Sequence, residues 1–174
     1  SQAVMLIVEP ATGEILNANP AAENFYGYPM EELRVMTIDK INTLPPETIA
    51  AERQLALEEK RNFFVFPHRM KSGEMRTVEV HSSPVQMKGK PVLFSIIHDV
   101  TKKKLAEEKL IESEERFSTA FHSSQEAISI SRISDGMYID VNDAFCSTFE
   151  ISRGQVIGRT SKELDLWINP EQRN

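Results

Sequence analysis

"FFVFPHRMKSGEMRTVEVHSSPVQMKGKPVLFSIIHDV" (residues 63–100) reads as three runs of period two, separated by the turn segments Lys71-Ser72-Gly73 and Lys88-Gly89-Lys90. A period of two belongs to a half-buried strand, and connections this short join antiparallel neighbours. The stretch therefore predicts an antiparallel meander. Alternation puts Phe64, Phe66 and His68 on one face of the first strand, Val78, Val80 and Ser82 on one face of the second, and Leu93, Ser95 and Ile97 on one face of the third. These are the expected core-facing positions.

Working back toward the N-terminus, "AVMLIVEP" (3–10) and "GEILNAN" (13–19) are short apolar runs joined by a Gly turn, which predicts a hairpin. Asn19 can cap the helix that follows, Pro20 suits its first turn, and Ala21, Ala22, Phe25 and Tyr26 recur at helical spacing. Gly27-Tyr28-Pro29 stops that helix, and Met30–Leu33 can start another turn with Glu31 and Glu32 at its positive end. After Pro45-Pro46, residues 47–62 read as one amphipathic helix with Ile49, Ala50, Ala56 and Leu57 inward. Hairpin and meander together give five strands. The expected class is α+β, a five-stranded antiparallel sheet with short helices on one face. A long helix is predicted from about Thr101 to Phe121, since no Gly or Pro interrupts it and Asp99 or Thr101 can cap it.

The beginning of the chain then recurs. "GMYIDVNDAFCSTFEISRGQVIGRT" (136–160) aligns without a gap on "GEILNANPAAENFYGYPMEELRVMT" (13–37), every position lying 123 residues further on. Gly13/Gly136, Asn19/Asn142, Ala21/Ala144 and Thr37/Thr160 are identical. The shared turn glycine and helix cap need particular backbone chemistry, which is why they argue for duplication.

The bulk properties exclude several classes. Hydrophobic residues make up 40% and charged residues 26%, the balance of a globular chain. A net charge of −6 argues against a nucleic-acid partner, and the one dense basic run, Lys102-Lys103-Lys104, adjoins glutamates as a solvated helix face does. The single cysteine, Cys146, excludes an internal disulfide and a cysteine metal cluster, which suits a reducing, cytoplasmic setting. No apolar stretch approaches the roughly 18 residues of a spanning helix, so no direct membrane contact is expected, although a larger parent protein could be anchored.

The order strand, Gly turn, strand, Asn-capped helix, "GYPMEEL", helix and three strands resembles the PAS domain family. "HRMKSGEMRTVEVHSSPV" and "FSIIHDVTKKKLAEEKL" are similar to its C-terminal, PAC half, which closes on an Asp-hydrophobic-Thr signature at Asp99, Val100 and Thr101. The resemblance implies a PAS domain at 1–101, a helical linker at 102–121, and the N-terminal half of a second PAS domain at 115–174. It implies a sensory or interaction module of the kind found in bacterial and archaeal histidine kinases and diguanylate cyclases, including two-component systems. Any kinase or cyclase activity, and the output domain that carries it, would then lie outside this chain. Within the linker, Ala106, Leu110, Ser113, Phe117 and Ala120 follow coiled-coil spacing, which would make a homodimer through parallel helices. Leu105, Ile111 and Phe121 widen the stripe, so a helix docked on its own module is the alternative.

A PAS sheet and its helices can enclose a pocket. The candidate lining is Phe25, Tyr26, Phe66, His68, Val78, Val80, Ser82, Ser95 and Ile97. No cofactor is expected. The resemblance implies a histidine on the helix before the meander for haem, and residues 47–62 contain none; it implies an Asn-Cys-Arg motif for covalently reacting flavin, and Cys146 sits instead in "AFCSTF". A small metabolite remains as the ligand, and a ligand-free dimerisation or interaction module, its core filled by Phe25, Tyr26, Phe64 and Phe66, is the rival. His68, His81, His98 and His122 share no metal-ligand spacing. His68 either meets water at its strand end or gives an apolar pocket one polar contact. The Ser82 and Ser95 side chains either add hydroxyl contacts there or make room for a helix. The scattered carboxylates have no nucleophile or base beside them, so no catalytic residues are expected.

Overall fold

In the computed structural model, which describes residues 3–166, the first unit is a five-stranded antiparallel sheet with helices against one face. The strands are β1 (Val4–Val8), β2 (Ile15–Ala18), β3 (Phe63–Arg69), β4 (Met75–Met87) and β5 (Lys90–Asp99), in the order β2-β1-β5-β4-β3. The β4–β5 turn has two central residues, Lys88 and Gly89, at φ 51° and 77°, the geometry that matches the twist of two paired strands. Pro67 lies in β3, an edge strand, where a missing N–H is tolerated.

Between β2 and β3 come α1 (Pro20–Tyr26), α2 (Met30–Leu33), a 3-10 turn (Ile38–Lys40) and α3 (Pro46–Leu57). Asn19 caps α1 and ties it to β1. Its Oδ1 accepts from the Ala22 and Met5 amides (3.1 and 3.0 Å), while its Nδ2 donates to the Ala3 carbonyl (2.7 Å). The core of this unit takes Leu6 and Val8 from β1, Tyr26 from α1, and Phe64, Val80 and Ile97 from the meander. Two expectations about α3 need correction. The helix ends at Leu57 rather than at 62, because Glu59 adopts φ 56° and turns the chain out of helix. Ala50 is exposed: the inward stripe is Ile49, Arg53 and Ala56, so the position expected of an alanine is taken by an arginine one turn along.

The helix α4 runs from Thr101 to Ser123, and the chain divides into two units after Glu107. Residues 105–120 are exposed throughout, including Ala106, Leu110, Ser113, Phe117 and Ala120. Of the three residues that widen the stripe, Leu105 and Ile111 are exposed while Phe121 is buried. The second unit contains β6 (Ser129–Ser131), β7 (Tyr138–Val141), α5 (Asp143–Phe149) and α6 (Arg153–Val156) around a small core of Tyr138, Val141, Phe145 and Val156. Residues 167–174 of the expected second copy lie outside the described residues. Among the described residues no helix is long and apolar enough to cross a membrane.

Candidate functional site

The helix-facing side of the sheet borders a partly open cavity of about 50 Å3 between β1, β3, β4, β5 and α3. Alternation delivers Phe64, Phe66 and His68 from β3, Val80 and Ser82 from β4, and Leu93, Ser95 and Ile97 from β5. Register brings them together: Phe64 pairs with Val80, Val80 with Ile97, and Ser82 with Ser95. Leu6 and Val8 extend the wall along β1, and Ile49, Glu52, Arg53 and Ala56 close it from α3.

His68 is, with Asn42, one of the two polar groups that the fold buries most completely here. It is 2% exposed, against the expectation that the strand end would meet water. The segment after the 3-10 turn lies over that strand end: Asn42 bridges His68, the Thr43 amide donates to the Pro67 carbonyl (3.1 Å) and the Arg69 amide to the Ile41 carbonyl (2.7 Å). The imidazole stacks on Phe66 at a centroid distance of 6.0 Å, and its Nδ1 lies 3.0 Å from the Tyr26 hydroxyl. Burial lowers the imidazole pKa from 6.5 to about 3, and burial raises that of the Tyr26 phenol. Both are neutral at pH 7. Nε2 has no hydrogen-bond partner among the described residues.

The remaining polar groups around the cavity are partly paired, and Arg53 Nη1 and Asp39 Oδ1 also make no hydrogen bond among the described residues. The Ser82 and Ser95 hydroxyls bond each other at 2.6 Å. Asn42 Oδ1 accepts the Leu44 amide at 3.1 Å. Arg53 Nε donates to the Pro10 carbonyl (3.0 Å), and its Nη1 faces Asp39 Oδ1 at 3.5 Å. Gly13 makes room for that guanidinium, since a Cβ built there would stand 2.8 Å from Arg53 Nη1; its φ of 77° also favours glycine.

Of the nine lining candidates drawn from the sequence, Phe66, His68, Val80, Ser82, Ser95 and Ile97 border the cavity, while Phe25, Tyr26 and Val78 do not. Tyr26 is a fully buried core residue whose hydroxyl reaches the imidazole. Val78 is fully buried too, paired with Phe66 and Asp99 at the other end of β4. Phe25 packs edge-on against Tyr26 with the Arg76 guanidinium 5.3 Å from its ring centre. Sequence reasoning missed Arg53, Glu52 and Asn42. Arg53 had a signal, standing four residues after Ile49 and three before Ala56, but an arginine invites an outward assignment.

At the other end of the meander, Asp99, Val100 and Thr101 fasten the start of α4 to β4. Thr101 Oγ1 accepts the Thr77 amide (3.0 Å) and donates to Asp99 Oδ1 (2.6 Å), and the Val100 amide donates to the Thr77 carbonyl (3.0 Å). Arg76 Nη1 completes the knot at 3.0 Å from Asp99 Oδ2. Partial burial pushes the Asp99 carboxyl up, but the Thr101 hydroxyl and amide, together with Arg76, outweigh it and hold the pKa below its usual value.

The architecture has many solved relatives. A PAS domain from Desulfitobacterium hafniense is 24% identical and superposes with a TM-score of 0.54, covering 57% of this chain and 93% of that one. The PAS domain of an HTR-like protein from Haloarcula marismortui gives 20% identity and a TM-score of 0.52, covering 57% and 82%. Residues 2–102 and residues 115–174 each match a PAS domain family model. The chain belongs to the PAS domain family. In sequence it is similar to diguanylate cyclase DgcM of Escherichia coli (strain K12), 31% identical over 112 residues, or 63% of this chain. The match spans 27% of that relative.

Proposed function

We propose that the chain is a cytoplasmic sensory module of a larger signalling protein, which takes a small ligand in the cavity and relays its presence through α4. The observation that carries this reading is the pairing of a cavity on the helix-facing side of the sheet with a hydrogen-bonded knot on the same two strands. Ser82 and Ser95 border the cavity, and about 14–17 Å of the same β4–β5 ladder separate them from Thr77 and Asp99, five and four residues away at about 3.4 Å per residue. A ligand that favours one packing of sheet and helices shifts the population of that packing, and the Arg76–Asp99–Thr101 knot couples the shift to the first turn of α4. Two copies of α4 meet in parallel along Ala106, Leu110, Ser113, Phe117 and Ala120, and their relative packing reaches an output domain in the same polypeptide. The likeness to a diguanylate cyclase and the exposure of that seam support this arrangement.

The size of the cavity favours a second reading, a ligand-free module that dimerises or binds a partner protein: about 50 Å3 is well below the ~300 Å3 at which small-molecule sites begin. Native mass spectrometry of the purified chain separates the two, a bound mass released on denaturation supporting the sensor and its absence the interaction module. The relay is tested by replacing Leu110 and Phe117 together with Glu. Light scattering should then report a dimer turned monomer, whereas an unchanged dimer removes the seam from the mechanism.

A further inference from the structure

The Tyr26 hydroxyl is fully buried, and its one hydrogen-bond partner among the described residues is His68 Nδ1 at 3.0 Å. A buried phenol must donate its hydrogen somewhere, and the imidazole nitrogen is the acceptor in reach. Were Nδ1 instead protonated, it would donate to the phenol oxygen, and the buried phenol hydrogen would be left without an acceptor among the described residues. Nδ1 therefore accepts, and the neutral ring carries its proton on Nε2. That N–H belongs to a residue bordering the cavity, is buried, and has no acceptor. An unmatched buried donor is unfavourable, so the site is built for an acceptor that the protein does not supply.

The other groups narrow the acceptor's chemistry. Arg53 lies beside Asp39 at 3.5 Å and Glu52 beside Arg61 at 3.4 Å, so each charge around the cavity has an opposite charge next to it, although Arg53 Nη1 and Asp39 Oδ1 make no hydrogen bond among the described residues. One serine hydroxyl donates to the other, which leaves one hydroxyl hydrogen without a further partner among the described residues. Phe64, Phe66, Leu93 and Ile97 are apolar. A cavity of about 50 Å3 is smaller than the ~150 Å3 space that admits benzene, which limits an occupant to a handful of heavy atoms.

On the reading that the cavity takes a ligand, we propose that its occupant is a small uncharged molecule, apolar except for one carbonyl or ether oxygen, which accepts the His68 Nε2–H.

Acetone, isobutene and acetate are near-isosteric probes that differ in this one respect: neutral acceptor, no acceptor, anionic acceptor. Nitrogen NMR of the full chain at pH 7 should find the Nε2–H tautomer of His68. Titration should give saturable shifts at Val80, Ser95 and the His68 ring, with acetone binding about tenfold more tightly than isobutene and acetate more weakly than either. His68→Leu should bring acetone down to the level of isobutene. Tyr26→Phe, which leaves the imidazole present but frees its tautomer, should lower the preference for acetone without abolishing isobutene binding. Equal affinities for acetone and isobutene, tighter acetate, or an Nδ1–H tautomer would overturn the assignment while leaving a ligand site. A water seen on Nε2–H that no probe displaces, or no saturable shift with any probe, would overturn the ligand site itself and this assignment with it.

Discussion

The two units repeat one local design with different support. In the first, Asn19 joins α1 to β1 through Met5, Ala22 and Ala3; in the second, Asn142 Oδ1 accepts the Ile128 and Phe145 amides (both 2.9 Å) and its Nδ2 donates to the Glu126 carbonyl (2.8 Å). Each of these partners lies 123 positions after its counterpart. The turn glycines agree as well, Gly13 at φ 77° and Gly136 at φ 73°, and so do the bridges Glu14–Thr37 and Met137–Thr160. What differs is the sheet. The first hairpin extends through β5, β4 and β3, whereas β6 and β7 form a two-stranded sheet. Gly13 also seats Arg53, but nothing lies within 4 Å of a Cβ built on Gly136. The clamp and turn thus need only the hairpin and the helix after it, while a cavity needs the meander.

The sharpest break in this comparison should come from hydrogen exchange. Amides of β1, β4 and β5 should open only near the global unfolding free energy, whereas those of β6 and β7 should exchange with little protection, because a two-stranded sheet is marginal in water. Equal protection in a proven monomer would erase the distinction.

Acid should come next in size and act through the first unit. The unfolded chain protonates His68 near 6.5 and the folded chain only near 3, so between these values the unfolded state binds more protons and stability rises with pH. That contribution is complete above pH 6.5. Lowering the pH to about 5 should remove about 2 kcal/mol, a window above the titration of Glu9 and Asp99, whose pKa values are both lowered. Tyr26 faces the ring from α1, Arg76 is its register partner on β4, and Glu52 and Arg53 of α3 share its cavity, each already paired. Denaturant titrations at both pH values should find the slope in the wild type and lose it in His68→Leu; a slope that survives the substitution would assign it elsewhere.

A smaller effect should sharpen the comparison at the helix ends. Gly27 and Glu150 end α1 and α5 at matching positions, both in the left-handed region, at φ 78° and 52°. Only the first is a glycine. Glu150→Gly should stabilise the second unit by roughly 1 kcal/mol, and Gly27→Glu should destabilise the first by a similar amount, both read by denaturation or exchange. Opposite signs would show that the two caps are not equivalent.

Features that depend on neighbours along the chain were legible in the residues themselves. Asn19 and Asn142 cap their helices because a side-chain oxygen reaches amides three residues on, and Lys88-Gly89 turns because two positive φ values close a hairpin. Alternation likewise put Phe64, His68, Val80, Ser82, Ser95 and Ile97 on one side of the sheet, since side chains along a strand have no other choice. Tertiary structure alone decided which of that face borders a cavity. Val78 shares the face with Val80 but is buried in the core, and Tyr26 lies behind an imidazole that the Ile41–Thr43 segment keeps from water. Arg53 turns inward because Asp39 and the Pro10 carbonyl meet it there, partners 14 and 43 residues away that no local pattern reveals. Local rules act through backbone geometry a few residues long, whereas burial and pairing depend on which distant segments the finished sheet brings together.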